Sequence, residues 1–340
     1  MANRTWRWIV GGAALVLLVG ALWAYLYYDG LANTPLEAAD TVTVEVPPGA
    51  GAAAVAELLT AEGVTRHPRL FRMYLRLEGL DTELHAGTFE LPRPACFADI
   101  AAVLTSDEVV TRRLTIPEGL TVERIAALLE AEGFCAAEAF LGAANALAES
   151  ELGWETAEGC LFPDTYEVAV DAGAAELARR LFARADEVWE EVVAAAGAGQ
   201  ADRRRTTILA SIVQAEGAAE AEFPVIAGVF ANRLEGGMAL ESCATVLYAL
   251  GEHKQVLEYR DLEVDSPYNT YRNRGLPPGP INCPGRAALA AALEPAEHDY
   301  LFFVSNGDGT HTFSRTLAEH NAARRATREA RAAAVDPEGS

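Results

Sequence analysis

The first feature of this sequence that could do chemistry is a carboxylate at the end of an apolar run. In Thr206-Thr207-Ile208-Leu209-Ala210-Ser211-Ile212-Val213-Gln214-Ala215-Glu216-Gly217, the residues Leu209, Ile212 and Val213 precede Glu216 by seven, four and three positions. At helical spacing they share its face. The pattern predicts a helix whose last residue points into protein or a cleft. A carboxyl held against apolar side chains disfavours its charged form, so its pKa rises. A glutamic acid that stays protonated near neutral pH can act as a general acid. The alternative is a structural Glu paired with an arginine such as Arg233. Gly217 is expected to close the helix in a left-handed conformation.

The segments that must position this group lie on either side of it. Residues 136–205 read as mostly helical, broken by Glu158-Gly159-Cys160-Leu161-Phe162-Pro163-Asp164-Thr165-Tyr166, which is too apolar for a solvent loop. Phe223-Pro224 opens a second helix through Leu234, ended by Gly236-Gly237, with proline at its start and glycine after its end. Ser266-Pro267-Tyr268-Asn269-Thr270-Tyr271 and Gly275-Leu276-Pro277-Pro278-Gly279-Pro280-Ile281 are rigid, turn-rich and furnished with aromatic and amide groups. Tyr300–Val304 reads as a buried strand, Asn306-Gly307-Asp308-Gly309 as a hairpin turn, and His311–Ser314 as the returning strand. Residues 317–333 form a charged terminal helix.

Upstream there is an internal repeat. Val44-Glu45-Val46-Pro47-Pro48-Gly49 leads into Ala54–Val64, and Leu114-Thr115-Ile116-Pro117-Glu118-Gly119 leads into Arg124–Phe134. Each copy reads as an alternating strand, a turn, an amphipathic helix and a glycine stop. Between them, His67–Leu77 and Phe97–Leu104 read as helices and Gly87–Leu91 as a strand. Residues 42–113 are therefore a small unit of mixed strands and helices, and its plainest reading is a spacer.

The 340 residues suffice for two domains, and half are hydrophobic. A formal net charge of −22 argues against nucleic acid as a partner. Trp8 to Tyr28 contains no charged residue and is long enough to span a bilayer as a helix. Arg4 and Arg7 precede it and Asp29 and Glu37 follow, so residues 1–7 are expected in the cytoplasm and the rest outside. A cleaved signal peptide is the competing reading; the length of the run and a poor cleavage site favour an uncleaved anchor. None of the five cysteines forms a CxxC pair, so no metal site is expected. Outside the cytoplasm disulfides are permitted.

In order and spacing the chain resembles the YceG-like endolytic murein transglycosylases. The resemblance is carried by Gly159-x-Leu161-Phe162-Pro163-Asp164-Thr165-Tyr166, Ala210-Ser211-Ile212-Val213-x-x-Glu216, Asn232-Arg233-Leu234, the two turn-rich segments, and His311-x-Phe313. To the cytoplasmic tail 1–7, transmembrane helix 8–28 and linker 29–41 read from the residues, it adds an α+β protein with a LysM-like glycan-binding subdomain at 42–113 and a YceG-like catalytic domain at 114–335. It implies a plasma-membrane, single-pass enzyme that cleaves the MurNAc–GlcNAc bond within nascent peptidoglycan strands and leaves 1,6-anhydroMurNAc ends. Glu216 would be catalytic, with Glu241, Thr245, Tyr268, Asn269, Thr270, Tyr271 and His311 binding substrate. No cofactor is implied. Peptidoglycan strands, the membrane and peptidoglycan synthases (penicillin-binding proteins) are the expected partners. Two other readings remain: a non-catalytic glycan-binding scaffold for synthases, and a hydrolytic muramidase with Glu241 as second carboxylate.

Where such enzymes usually carry Gln and Asp, this chain has Glu241 and Cys243, and Cys283 stands where a small polar residue is usual. The paired departures predict a Cys243–Cys283 disulfide, with Cys135–Cys160 the next candidate pair and Cys96 free.

Overall fold

The structure, a computed structural model, describes residues 2–34, 36, 40–47, 49–106, 109–251, 254 and 257–335. The side chains of Arg4, Trp6 and Arg7, which bear on the expected orientation, lie outside the described residues, as do Glu37 and Pro48. The chain divides into two compact units, Met1–Arg112 with Glu167–Asp171, and Arg113–Tyr166 with Ala172–Ser340.

The first unit opens with helix α1 (Ala2–Asn33), which runs five residues past the predicted end of the span at Tyr28. Its stretch Gly12–Asn33 is long and apolar enough to cross a membrane. Ala32 is buried, and Tyr28 and Leu31 pack against the core of the unit. There follow β1 (Asp40–Val46), α2 (Ala52–Ala61), α3 (Pro68–Glu78), β2 (Gly87–Arg93) and α4 (Phe97–Leu104). β1 and β2 pair antiparallel, from Asp40 opposite Arg93 to Val46 opposite Gly87. Alternation along the strands turns Val44, Val46, Phe89 and Leu91 inward. The helices cover that face with Leu59, Phe71, Leu75 and Phe97.

The next elements are β3 (Thr111–Thr115), α5 (Val122–Ala131), α6 (Ala137–Leu152), β4 (Thr165–Ala169), α7 (Ala174–Ala195), α8 (Arg203–Glu216) and α9 (Phe223–Glu235). The chain continues through α10 (Cys243–Leu250), α11 (Arg286–Leu293), β5 (Phe302–Ser305), β6 (His311–Ser314) and α12 (Leu317–Val335). β3 pairs with β4. Both copies of the repeat fold as predicted, β1 with α2 and β3 with α5.

The core of the second unit is built around α8. Asp202 caps it, its Oδ1 accepting the Arg205 N–H at 3.0 Å. Every residue from Thr206 to Val213 is buried. α9 and α11 pack against it, and α7 packs on α11. The β5–β6 hairpin pairs Phe302 with Ser314 and Ser305 with His311. Its strand β5 is only half-buried, not fully buried as predicted: α9 meets it through Phe230 and Phe303 and α12 through His320 and Phe302, but among the described residues this two-stranded ribbon has no further strand beside it.

Two corrections concern local chemistry. Gly217 is not left-handed: its φ of −91° and ψ of 134° are extended. A glycine is needed there for proximity, since a Cβ would sit 2.5 Å from the Phe223 ring. All five cysteines are free. Cys243 is exposed and its Sγ lies 3.2 Å from the Tyr271 hydroxyl. Cys283 is fully buried, with Sγ 4.0 Å from Glu158 Oε1. The two thiols have different neighbours, and burial holds Cys283 well above the usual thiol range. Cys160, pushed up to about 12 by burial, is equally inert. The Cys243–Cys283 expectation rests on coupled departures from a motif, which do not fix the geometry a disulfide needs, and the buried Cys283 fills apolar space without bonding.

Candidate active site

The last turn of α8 delivers the Glu216 carboxyl to the start of α10. Ser242 Oγ donates to Glu216 Oε1 at 2.5 Å, and the Ala244 N–H donates to the same carboxyl. Ser242 is the N-cap residue of α10 yet makes no capping bond to its own helix, because its hydroxyl is committed to Glu216. Burial pushes the Glu216 carboxyl up, against the opposing pull of Ser242, the Ala244 N–H, His311 and Arg233. Glu216 as a residue keeps partial exposure, while its carboxyl is surrounded by protein. This combination suits a group that must exist in both protonation states. The apolar surroundings hold the proton, and donors stand ready for the anion.

Arg233 does not pair with Glu216. Its Nε donates to the Leu301 carbonyl at 2.6 Å and its Nη1 to the Leu240 carbonyl at 2.8 Å and Glu241 Oε2 at 3.3 Å. Beside it, Asn232 Nδ2 donates to the His298 and Tyr300 carbonyls at 2.7 and 3.0 Å. The Asn-Arg pair thus ties α9 to the chain entering the hairpin and to the segment that carries Glu241. Glu241 itself has a φ of 49°, a left-handed backbone that costs a non-glycine residue energy and is found at functional sites more often than elsewhere.

A small polar network holds Ser242 in place. Its N–H donates to Thr270 Oγ1 at 3.0 Å. Thr270 Oγ1 and Thr245 Oγ1 are 2.9 Å apart, and Thr245 Oγ1 donates to the Ser242 carbonyl at 2.8 Å. Thr245, Asn269 and Thr270 are buried. Asn269 Nδ2 donates to the Leu262 and Val264 carbonyls, both at 2.9 Å, and its Oδ1 accepts the Tyr271 N–H at 3.0 Å. These three residues shape the loop that presents Ser242 and Tyr271. Tyr271 lies within electrostatic reach of both Glu216 and Glu241.

His311 sits on β6 with its Nδ1 2.8 Å from Glu222 Oε2, while its backbone N–H donates to Glu222 Oε1 at 3.1 Å. With Nδ1–H facing that carboxylate, Nε2 is the ring nitrogen left for other work. The Phe303 ring meets the imidazole edge-on at 5.4 Å.

Tyr268 keeps different company. Its ring packs on Tyr248 with centroids 4.8 Å apart, and Tyr248 donates to Glu158 Oε2 at 3.4 Å. Glu158 is buried, with its two oxygens 3.2 and 3.4 Å from the Val122 N–H at the start of α5. Burial, reinforced by Glu123, pushes it up to about 8. Gly159, next to it, lets this segment approach closely, since a Cβ there would lie 2.7 Å from Pro280 and 2.8 Å from Thr207.

Of the residues expected from sequence, Glu216, Glu241, Tyr271 and His311 therefore gather around one carboxyl. Thr245, Asn269 and Thr270 buttress it, and Tyr268 stands with Tyr248. Sequence reasoning missed Ser242, Glu222 and Glu158 as partners. A cavity of about 630 Å³ lined by Gly197, Gln200, Thr206 and Leu293 presents no titratable side chain and lies apart from these groups.

The YceG-like family matches residues 44–326 of the chain. The chain is 31% identical over 329 residues to a protein of Bacillus subtilis (strain 168) named endolytic murein transglycosylase, covering 91% of this chain and 90% of that one. It is 29% identical over 348 residues to a protein of the same name from Streptococcus pneumoniae serotype 2 (strain D39), covering 90% of this chain and 63% of that one. The crystal structure of a YceG-like protein of Listeria monocytogenes superposes with a TM-score of 0.55 at 31% identity, covering 83% of this chain and 99% of that one. With so much of its length matched, and with the Glu216 segment inside the matched region, the chain belongs to the YceG-like family.

Proposed function

We propose that the chain is a membrane-anchored endolytic lytic transglycosylase of peptidoglycan, with Glu216 as its single acid–base group. The observation that carries this reading is the double character of the Glu216 environment: burial that keeps the proton on, and Ser242 and Ala244 donors that receive the anion. In the first step the Glu216 carboxyl gives its proton to the glycosidic oxygen between MurNAc and GlcNAc as the C1–O bond breaks. In the second the carboxylate takes the proton of the MurNAc C6 hydroxyl while its oxygen closes on C1, leaving a 1,6-anhydro end. The nucleophile is tethered to the reacting sugar, so effective molarity replaces an activated water and no second carboxylate is needed.

Tyr271, His311 through Nε2, and Glu241 are the groups assigned to substrate contact near Glu216, and Tyr268 to a flanking surface. Thr245, Asn269 and Thr270 act by holding Ser242 and Tyr271. Residues 42–113 are assigned as the LysM-like glycan-binding subdomain; the β1–α2–α3–β2 order with antiparallel strands supports this. α1 serves as the plasma-membrane anchor with the amino terminus in the cytoplasm, and peptidoglycan synthases are the expected neighbours.

Digestion of purified peptidoglycan followed by mass analysis of the fragments tests the reading. Anhydro ends support it, reducing ends mean muramidase chemistry, and retained binding without fragments means a scaffold. Glu216→Gln should remain folded and lose more than the roughly 100-fold attributable to one acid–base group. Near-normal turnover by that variant, with loss instead in Glu241→Gln, would refute the assignment.

A further inference from the structure

Helix α3 buries Phe71, Tyr74 and Leu75 and turns the opposite arc to solvent. That arc holds Arg69, Arg72, Met73, Arg76 and Leu77, which at helical spacing fall within about 140° of one another. Met73 and Leu77 are 43% and 67% exposed. The arc carries no acidic residue, and the three arginines make no ion pair among the described residues, in a chain whose net charge is −22. Two large apolar side chains among free guanidinium groups match the boundary between phospholipid headgroups and acyl chains.

The start of α3 is also in the right place. Tyr27 of α1 has its hydroxyl 3.4 Å from Nε2 of His67, the residue before α3, and the two rings meet edge-on at 6.0 Å. Tyr27 lies at the outer end of the exposed apolar part of α1, just before Tyr28, Leu31 and Ala32 turn into the core of the unit. α3 therefore begins level with the outer boundary of the exposed apolar part of α1, where phospholipid headgroups would lie. The last turn of α1 is packed into the core of the same unit, so this relation is built into the fold of that unit.

We propose that the outward face of α3 lies on the bilayer that holds α1. Arg69, Arg72 and Arg76 engage the phosphodiester groups of anionic phospholipids, and Met73 and Leu77 enter the acyl boundary. This rests on the reading of α1 as a membrane span.

The test uses the full chain in nanodiscs of phosphatidylglycerol or phosphatidylcholine, with benzoylphenylalanine replacing Met73 or, as a control, the exposed Glu57 on α2. After irradiation, lipid adducts are counted by mass. Position 73 should give at least about fivefold more lipid adduct than position 57. Combining Arg69→Gln, Arg72→Gln and Arg76→Gln should lower the phosphatidylglycerol adduct about fivefold or more. Equal adducts at 73 and 57, no effect of the arginines, or a protein–protein adduct at 73 would overturn the proposal while leaving the anchor intact. A chain that does not enter the nanodisc at all overturns the anchor reading, and the proposal with it.

Discussion

Replacing Glu158 by glutamine isolates one buried carboxyl whose energetic effect follows from its position. Its oxygens face the Val122 N–H and the Tyr248 hydroxyl, and burial raises its pKa from 4.5 to about 8. The folded protein therefore keeps this proton over a range where the unfolded chain has lost it. The stability that Glu158 contributes is fully present below about pH 4.5 and is lost as pH rises through about 8. One proton per molecule corresponds to about 1.4 kcal/mol per pH unit, so the total loss is on the order of 4 to 5 kcal/mol. Glutamine is nearly isosteric, accepts the Val122 N–H equally well and does not titrate. The stability of Glu158→Gln relative to the parent should climb by about 1.4 kcal/mol per unit between pH 5 and 8 and then level off. Taking the difference between variant and parent cancels the many other acidic groups of the chain. Urea unfolding in detergent micelles at a series of pH values, followed by tryptophan fluorescence, measures it. A difference that is flat with pH would show that Glu158 titrates normally in the fold, and the assignment of a buried neutral carboxyl would be wrong.

Two further outcomes follow from the site. Ser242→Ala removes the hydroxyl donor to Glu216, so the carboxylate is less favoured, its pKa moves further up and the alkaline limb of the kcat profile shifts to higher pH. The same change should lower kcat roughly ten- to hundredfold, the worth of a hydrogen bond to a charged group, and an unmoved alkaline limb would remove Ser242 from the mechanism. Gly217→Ala drives a methyl group into the Phe223 ring and to within about 3.1 Å of Ile226. It should cost about 1 to 3 kcal/mol as an overpacking change, read as a lower unfolding midpoint, and unchanged stability would mean that α9 can yield there.

The sequence was most legible where one local pattern decides the outcome. The 3.6-residue spacing of Leu209, Ile212, Val213 and Glu216 was enough to bury α8 and aim its last carboxyl. The two copies of strand, turn and helix could be read because each carries its own alternation and its own stop. Ser242 could not be read: a serine before a helix signals a cap, and only the tertiary fold brings Glu216, 26 positions away, to take that hydroxyl. Glu222 sits in the run Ala219-Glu220-Ala221-Glu222, which reads as solvated, until β6 places His311 against it. Gly217 escapes local reading because a glycine after a helix has two uses, and the ring of Phe223 selects the one that local sequence does not favour. The cysteines were misread because pairing depends on geometry that spacing does not supply.

The bond from Ala244 to Glu216 ties the reaction to the mechanics of α10. While Glu216 holds its proton, the head of this eight-residue helix faces a neutral acceptor. On the proposed mechanism, once the proton has gone to the leaving sugar the same position holds an anion against the positive end of the helix, which is worth up to about 2 kcal/mol at a partly buried site. α10 carries Thr245, which steadies the loop of Thr270, and Tyr248, which backs Tyr268. On the proposed mechanism, α10 is therefore held most firmly while Glu216 is an anion, before the C6 hydroxyl returns the proton. When the proton returns to Glu216, that extra interaction with the helix end is lost.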